Sequence, residues 1–117
     1  MLNVYDEAHN LVATMKNTDE YKEYKRLRVI AYEDDTNKAL LDEYKRLQLR
    51  MQAKIASNET MPEDDFQRMQ QIGSLLQFNP DVSAYLMAEY RFQIMLSNIF
   101  KILAETADVD LNMLAGS

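Results

Sequence analysis

Apolar residues recur along this chain at intervals of three and four, the repeat that lines one face of an α-helix. Val4, Ala8, Leu11 and Met15 form a first stripe behind Asn3, a residue able to cap a helix, with Asp6 and Glu7 near the positive end of the helix dipole. Thr18 can cap a second helix carrying Asp19 and Glu20 in its first turn and Tyr21, Tyr24, Leu27 and Ala31 on one face, expected to end near Glu33-Asp34-Asp35. From about Thr36, the series Leu40, Tyr44, Leu47, Met51 and Ile55 holds the same spacing for about five turns. Ser57 to Thr60 reads as a polar turn. Thr60-Met61-Pro62-Glu63 fits a capping box with proline in the first turn, opening a fourth helix with Phe66, Met69, Ile72 and Leu76 inward. Gly73 weakens that helix by about 1 kcal/mol relative to alanine.

Asn79-Pro80-Asp81 repeats the start signal and opens the longest segment, about Pro80 to Glu105, roughly 38 Å at 1.5 Å per residue. On a 100° wheel, Tyr85, Ala88, Phe92, Met95, Leu96, Ile99, Phe100 and Leu103 share one apolar arc, expected to face the subunit core. Met87, Tyr90 and Ile94 form a second ridge, spaced i, i+3, i+7, on the otherwise polar side among Arg91, Ser97, Asn98 and Lys101. A helix apolar on two sides wants two partners, because each such side chain gains about 1.5–3 kcal/mol on full burial. The ridge is therefore expected to be a self-assembly or partner surface, unless the fourth helix or the C-terminal tail covers it.

Composition supports an all-α protein: about five helices in one antiparallel bundle across residues 1–117, with a flexible tail from about residue 108. The two glycines, Gly73 and Gly116, and two prolines are too few for a strand-rich fold or a glycine-rich phosphate loop. The absence of cysteine excludes disulfides, thiolate metal sites and cysteine nucleophiles, and one histidine leaves little imidazole chemistry. Nineteen acidic residues against thirteen basic give a net charge of -6, which disfavours indiscriminate binding to nucleic acid. Acids near the start, no basic region ahead of an apolar run and no apolar stretch of about 20 residues lead to an expectation of a cytoplasmic protein without a membrane partner.

Asp6 and His9 have the i, i+3 spacing of half a carboxylate-bridged metal site, but His9 is the sole histidine and such a site needs a second motif. Glu33-Asp34-Asp35 and Glu63-Asp64-Asp65 fit loop and cap roles and lack the spacing of a calcium loop. No catalytic residue, metal or cofactor is expected. Lys22, Lys25, Arg26 and Arg28, with Lys45, Arg46, Arg50 and Lys54, could form a basic stripe interleaved with Tyr21, Tyr24 and Tyr44 and contact single-stranded RNA. Pairing of those cations with Glu20, Glu23 and Glu43 at helical distance is the plainer alternative.

The order of segments resembles the YlbF/YmcA/YheA family of small helical bacterial regulatory proteins, closest to its YheA-like branch. The resemblance rests on NVYDEAHNL at 3–11, DEYKEYKRLR at 19–28, LLDEYKRLQLRMQ at 40–52 and NPDVSAYLMAEYRFQIMLSNIFKILAE at 79–105. It implies a helical bacterial protein assembling as a dimer or higher homo-oligomer, and a noncatalytic regulatory adaptor working through helix-mediated contacts. Family members YlbF and YmcA regulate competence, biofilm formation and sporulation within a complex that modulates messenger-RNA processing by ribonuclease Y. The resemblance thus points to related helical proteins or an RNA-processing complex as partners, with an RNA-binding accessory factor as the alternative. Cluster binding in that complex relies on cysteines, which are missing here, and is not carried over.

Overall fold

The computed structural model describes residues 3–108, which form five α-helices and no strand: α1 (Val4–Lys16), α2 (Asp19–Glu33), α3 (Asp35–Ala56), α4 (Glu63–Gln77) and α5 (Pro80–Ala107). Side-chain caps fix several of the starts. Asn3 Oδ1 accepts from the Tyr5 amide at 2.8 Å, and Asn79 Oδ1 accepts from the amides of Asp81 at 3.0 Å and Val82 at 3.2 Å. Thr18 Oγ1 accepts from the Tyr21 amide at 3.2 Å and donates to the Met15 carbonyl at 2.6 Å, joining the end of α1 to the start of α2. Such caps contribute about 1 kcal/mol each.

The helix expected from about Thr36 begins one residue earlier, at Asp35, because Asp34 takes the Asn37 amide at 2.9 Å and caps α3 directly after closing α2. One start differs from expectation: the box expected at Thr60 does not form. Pro62, extended at ψ 142°, is itself the cap residue and offers no side-chain bond, so α4 opens at Glu63 with the Phe66 amide on the Pro62 carbonyl at 3.0 Å. Glu63, Asp64 and Asp65 fill that first turn, where acids complement the helix dipole.

The core lies among α2, α3, α4 and α5, built from Ala31, Leu41, Leu47, Ile72, Leu76, Val82 and Tyr85. α2 runs antiparallel to α5: Tyr21 meets Phe92 with ring centroids 5.4 Å apart, while Tyr32, a helix length on, meets Tyr85 at 5.7 Å. Between them Tyr24 stacks on Phe92 at 5.3 Å. α3 packs on α2 and α4, and α4 closes against α5. A two-pronged pair, Arg68 Nε and Nη2 on Glu43 at 2.8 and 2.9 Å, joins α4 to α3. The molecule spans 53 × 36 × 17 Å, a layer not quite two helix diameters thick.

Such a layer leaves helix faces bare. α1 touches α2 but buries no residue. On α5 the arc expected to be core is buried at Tyr85 and Ala88, half-buried at Phe92, Leu96 and Ile99, and exposed at Phe100 (49%) and Leu103 (54%). The last ring contact of α2 on α5 falls at Phe92, and of the 15 residues from there to Ala107 only Ala104 is buried. The helix ends on Asp108, whose φ of 56° is left-handed. The tail expected from about 108 otherwise lies outside the described residues. Among those described, no helix is long and apolar enough to cross a membrane.

Candidate protein-docking site

Met87, Tyr90 and Ile94 lie on the outer side of α5 and are 56%, 65% and 44% exposed. Neither α4 nor any other described element covers them. Met87 and Tyr90 also line an open groove of about 790 Å³ between α5, α4 and the side of α3. Leu76 and Leu86 give the groove apolar walls, while Gln70, Ser74, Gln77 and Arg91 supply polar groups. Gly73 lies in the same wall, and a Cβ there would stand 3.7 Å from Tyr44 Cε2. An apolar strip bordered by polar side chains is the form that receives an amphipathic helix. The ridge is legible in the sequence. The groove is not, because its walls come from residues far apart in the chain, with a glycine inside a helix as the one local signal.

Behind the groove, three side chains tie α3 to α5. Lys45 Nζ donates to Tyr85 Oη at 2.6 Å and to Glu89 Oε2 at 2.8 Å, while Tyr85 Oη donates to the same Glu89 oxygen at 2.7 Å. Burial alone would lower the Lys45 pKa, but the two hydrogen bonds and the Glu89 charge outweigh it and hold the ammonium well above its usual range. Burial raises the Tyr85 pKa, and its bond to Glu89 raises it further against the opposing Lys45 charge. Both groups keep their protons near neutral pH, so the cluster acts as a structural tie between α3 and α5.

The tie accounts for one member of the expected basic stripe, and ion pairs engage three more. Arg26 pairs with Glu23 at 2.7 Å, Arg50 with Asp65 at 3.4 Å and Lys54 with Glu59 at 2.9 Å. Glu43, expected to serve its own helix, pairs instead with Arg68 of α4. Hydrogen bonds and charge from these arginines hold the Glu23 and Glu43 carboxyls below the usual range. Lys25 and Arg28 border a small hollow between α2 and α3 with Tyr32, Lys38 and Asp42, and the Arg28 guanidinium stands 5.3 Å from the Tyr32 ring centre. Lys22 and Arg46 stay exposed elsewhere on those helices. Tyr21, Tyr24 and Tyr44 are half-buried, with Tyr21 and Tyr24 packed on Phe92, so the structure does not assemble the eight cations and the tyrosines into one binding face. Asp6 and His9 are exposed on α1, and among the described residues no three acidic or histidine side chains are grouped to hold a metal ion.

Comparison with known proteins places this arrangement. A UPF0342 protein of Halothermothrix orenii is 33% identical over 100 residues, covering 86% of this chain and 85% of its own length. A UPF0342 protein of Clostridium tetani is 33% identical over 111 residues, covering 95% and 96%. Among solved structures, a protein of unknown function (DUF964) from Bacillus stearothermophilus superposes with a TM-score of 0.72 at 17% identity, covering 90% of this chain and 92% of that one. Bacillus subtilis RicA, solved in complex with RicF, superposes with a TM-score of 0.57 at 16% identity, covering 92% and 96%. These two likenesses confirm the all-helical fold. Residues 4–107, nearly all of the described helices, match the family of YlbF and YmcA, described as control of the competence regulator ComK, and the chain belongs to that family.

Proposed function

We propose that this protein is a noncatalytic regulatory adaptor that holds a helix of a partner protein against the outer side of α5. The observation that carries the reading is the Met87, Tyr90 and Ile94 ridge, exposed in a row and, at Met87 and Tyr90, opening into the groove beside α4. Apolar anchors at i, i+3 and i+7 next to an apolar groove match the way amphipathic helices are received. Membership of a family described by control of a competence regulator supports a regulatory role, and RicA, which shares the fold, is a protein solved with a protein partner. On the same analogy, competence, biofilm or sporulation control and an RNA-processing assembly are the processes to search first. The RNA-binding alternative has less support, because four of its eight cations are engaged and its tyrosines are packed inward.

Affinity capture from the native bacterial lysate, with and without ribonuclease, separates the readings. The adaptor reading expects protein partners that survive ribonuclease and are lost when Met87 and Ile94 are both changed to Lys. Partners that leave with the RNA, or that ignore the double change, contradict it.

A further inference from the structure

The groove between α4 and α5 is walled by two helix faces of different character. On α4, Gln70, Gly73, Ser74 and Gln77 are spaced i, i+3, i+4, i+7 and form one face, uncharged throughout and small in its middle. On α5, Met87 and Tyr90 give apolar surface, and Arg91 stands only about 40° of the helical wheel from Met87. Arg91 is the one charged group among the described residues that line the groove, in a chain whose net charge is -6. Its guanidinium pairs with none of the described carboxylates. Glu23 of α2 feels the Arg91 charge, but its carboxyl is held low first by Arg26, which bonds both of its oxygens at 3.1 and 2.7 Å. One carboxylate among two guanidiniums leaves a positive charge uncompensated beside an apolar ridge.

We propose, building on the adaptor reading, that the groove selects an acidic amphipathic helix of another protein, whose apolar face covers Met87, Tyr90 and Ile94 and whose flanking Asp or Glu meets the Arg91 guanidinium. A guanidinium receives a carboxylate through two parallel N–H···O bonds, which fixes the register of the helix as well as holding it. A basic helix in the same place would set like charges together as water leaves, so Arg91 also acts by rejection. Lengths agree: Gln70 to Gln77 and Met87 to Ile94 each span about 10 Å, so two to three turns of a partner fill the site. Gly73 and Ser74 project little from α4 and let that helix lie close. The negative charge of the whole molecule opposes an acidic ligand only weakly here, because charges farther than about 8 Å are largely screened at physiological salt.

Selection from a displayed library of helical peptides tests it, each peptide about 16 residues long with leucines at i, i+3 and i+7 and Glu, Lys or Gln varied beside them. Binders to the full chain at physiological salt should be enriched roughly tenfold in Glu over Lys relative to the starting library. General attraction to a chain of net charge -6 would enrich Lys instead, so a Glu preference reports the groove. Selection on Arg91→Glu should reverse the preference, and selection on Arg91→Gln should abolish it. Equal enrichment of Glu and Lys, or a Glu preference that survives both changes, overturns the proposal. Binders indifferent to charge but lost on Met87→Lys with Ile94→Lys overturn the acidic preference and leave the adaptor reading standing. Binders that the double Lys change spares, or a library from which no helix is enriched, overturn both. Displacement of the selected helices by added unlabelled copies of this chain assigns the groove to self-association and overturns the proposal as well.

Discussion

Lys45, Tyr85 and Glu89 show how a residue's role depends on what the fold brings to it. In the sequence Lys45 is one cation among several on a helix, and nothing nearby announces a carboxylate 44 positions away. Once α3 and α5 pack, its ammonium is shared between Glu89 and a fully buried tyrosine. The raised pKa values of Lys45 and Tyr85 set the sign of the pH dependence. Above about pH 10 the unfolded chain releases these protons while the folded chain keeps them, so stability falls as pH rises. Below that pH their stabilising effect is fully present. Denaturant unfolding should therefore show a nearly constant contribution from this cluster between pH 7 and 9 and a loss beginning near pH 10. Tyr85→Phe should lower stability by about 1–2 kcal/mol at pH 7, leaving Lys45 and Glu89 paired, and should make the alkaline loss shallower. An alkaline limb identical to wild type would show that the hydroxyl does not carry it.

At the scale of elements, the sequence was legible where one residue does one local job. Asn3, Thr18 and Asn79 stand where caps are needed and act as caps. Asp34 was obscured because the acidic triplet reads equally as the end of one helix and the start of the next. Thr60 misled because a capping pattern has no force when the proline behind it holds the chain extended. The wheel of α5 identified its apolar arc, but a wheel has no length, and the ring contacts with α2 stop at Phe92 while the arc runs on to Leu103. The groove was invisible for a related reason, since it exists between helices. Gly73 in the interior of α4 makes a clean test of helix propensity there. The 3.7 Å approach of a Cβ to Tyr44 is ordinary van der Waals contact, so Gly73→Ala should raise stability by about 0.5–1 kcal/mol. A loss would mean that Tyr44 cannot accommodate the methyl group.

At the scale of the whole molecule, the governing fact is a layer 17 Å thick made of helices with more apolar faces than one chain can cover. Its core is partial: seven buried residues cluster among four helices, while α1 buries none and α5 past Ala88 buries only Ala104. The exposed Met87, Tyr90 and Ile94 ridge is the surface proposed to hold a partner helix, so changes at Met87 and Ile94 should alter partner binding while helical content stays constant. Partner binding is proposed to run through the outer ridge, and calorimetric titration of the ribonuclease-resistant partner against wild type and against Met87→Lys with Ile94→Lys measures that ridge's share. The prediction is at least a thirtyfold loss of affinity, roughly the 2 kcal/mol of an interface hot spot, with the helical content unchanged. Equal affinities for the two proteins would show that the partner docks elsewhere.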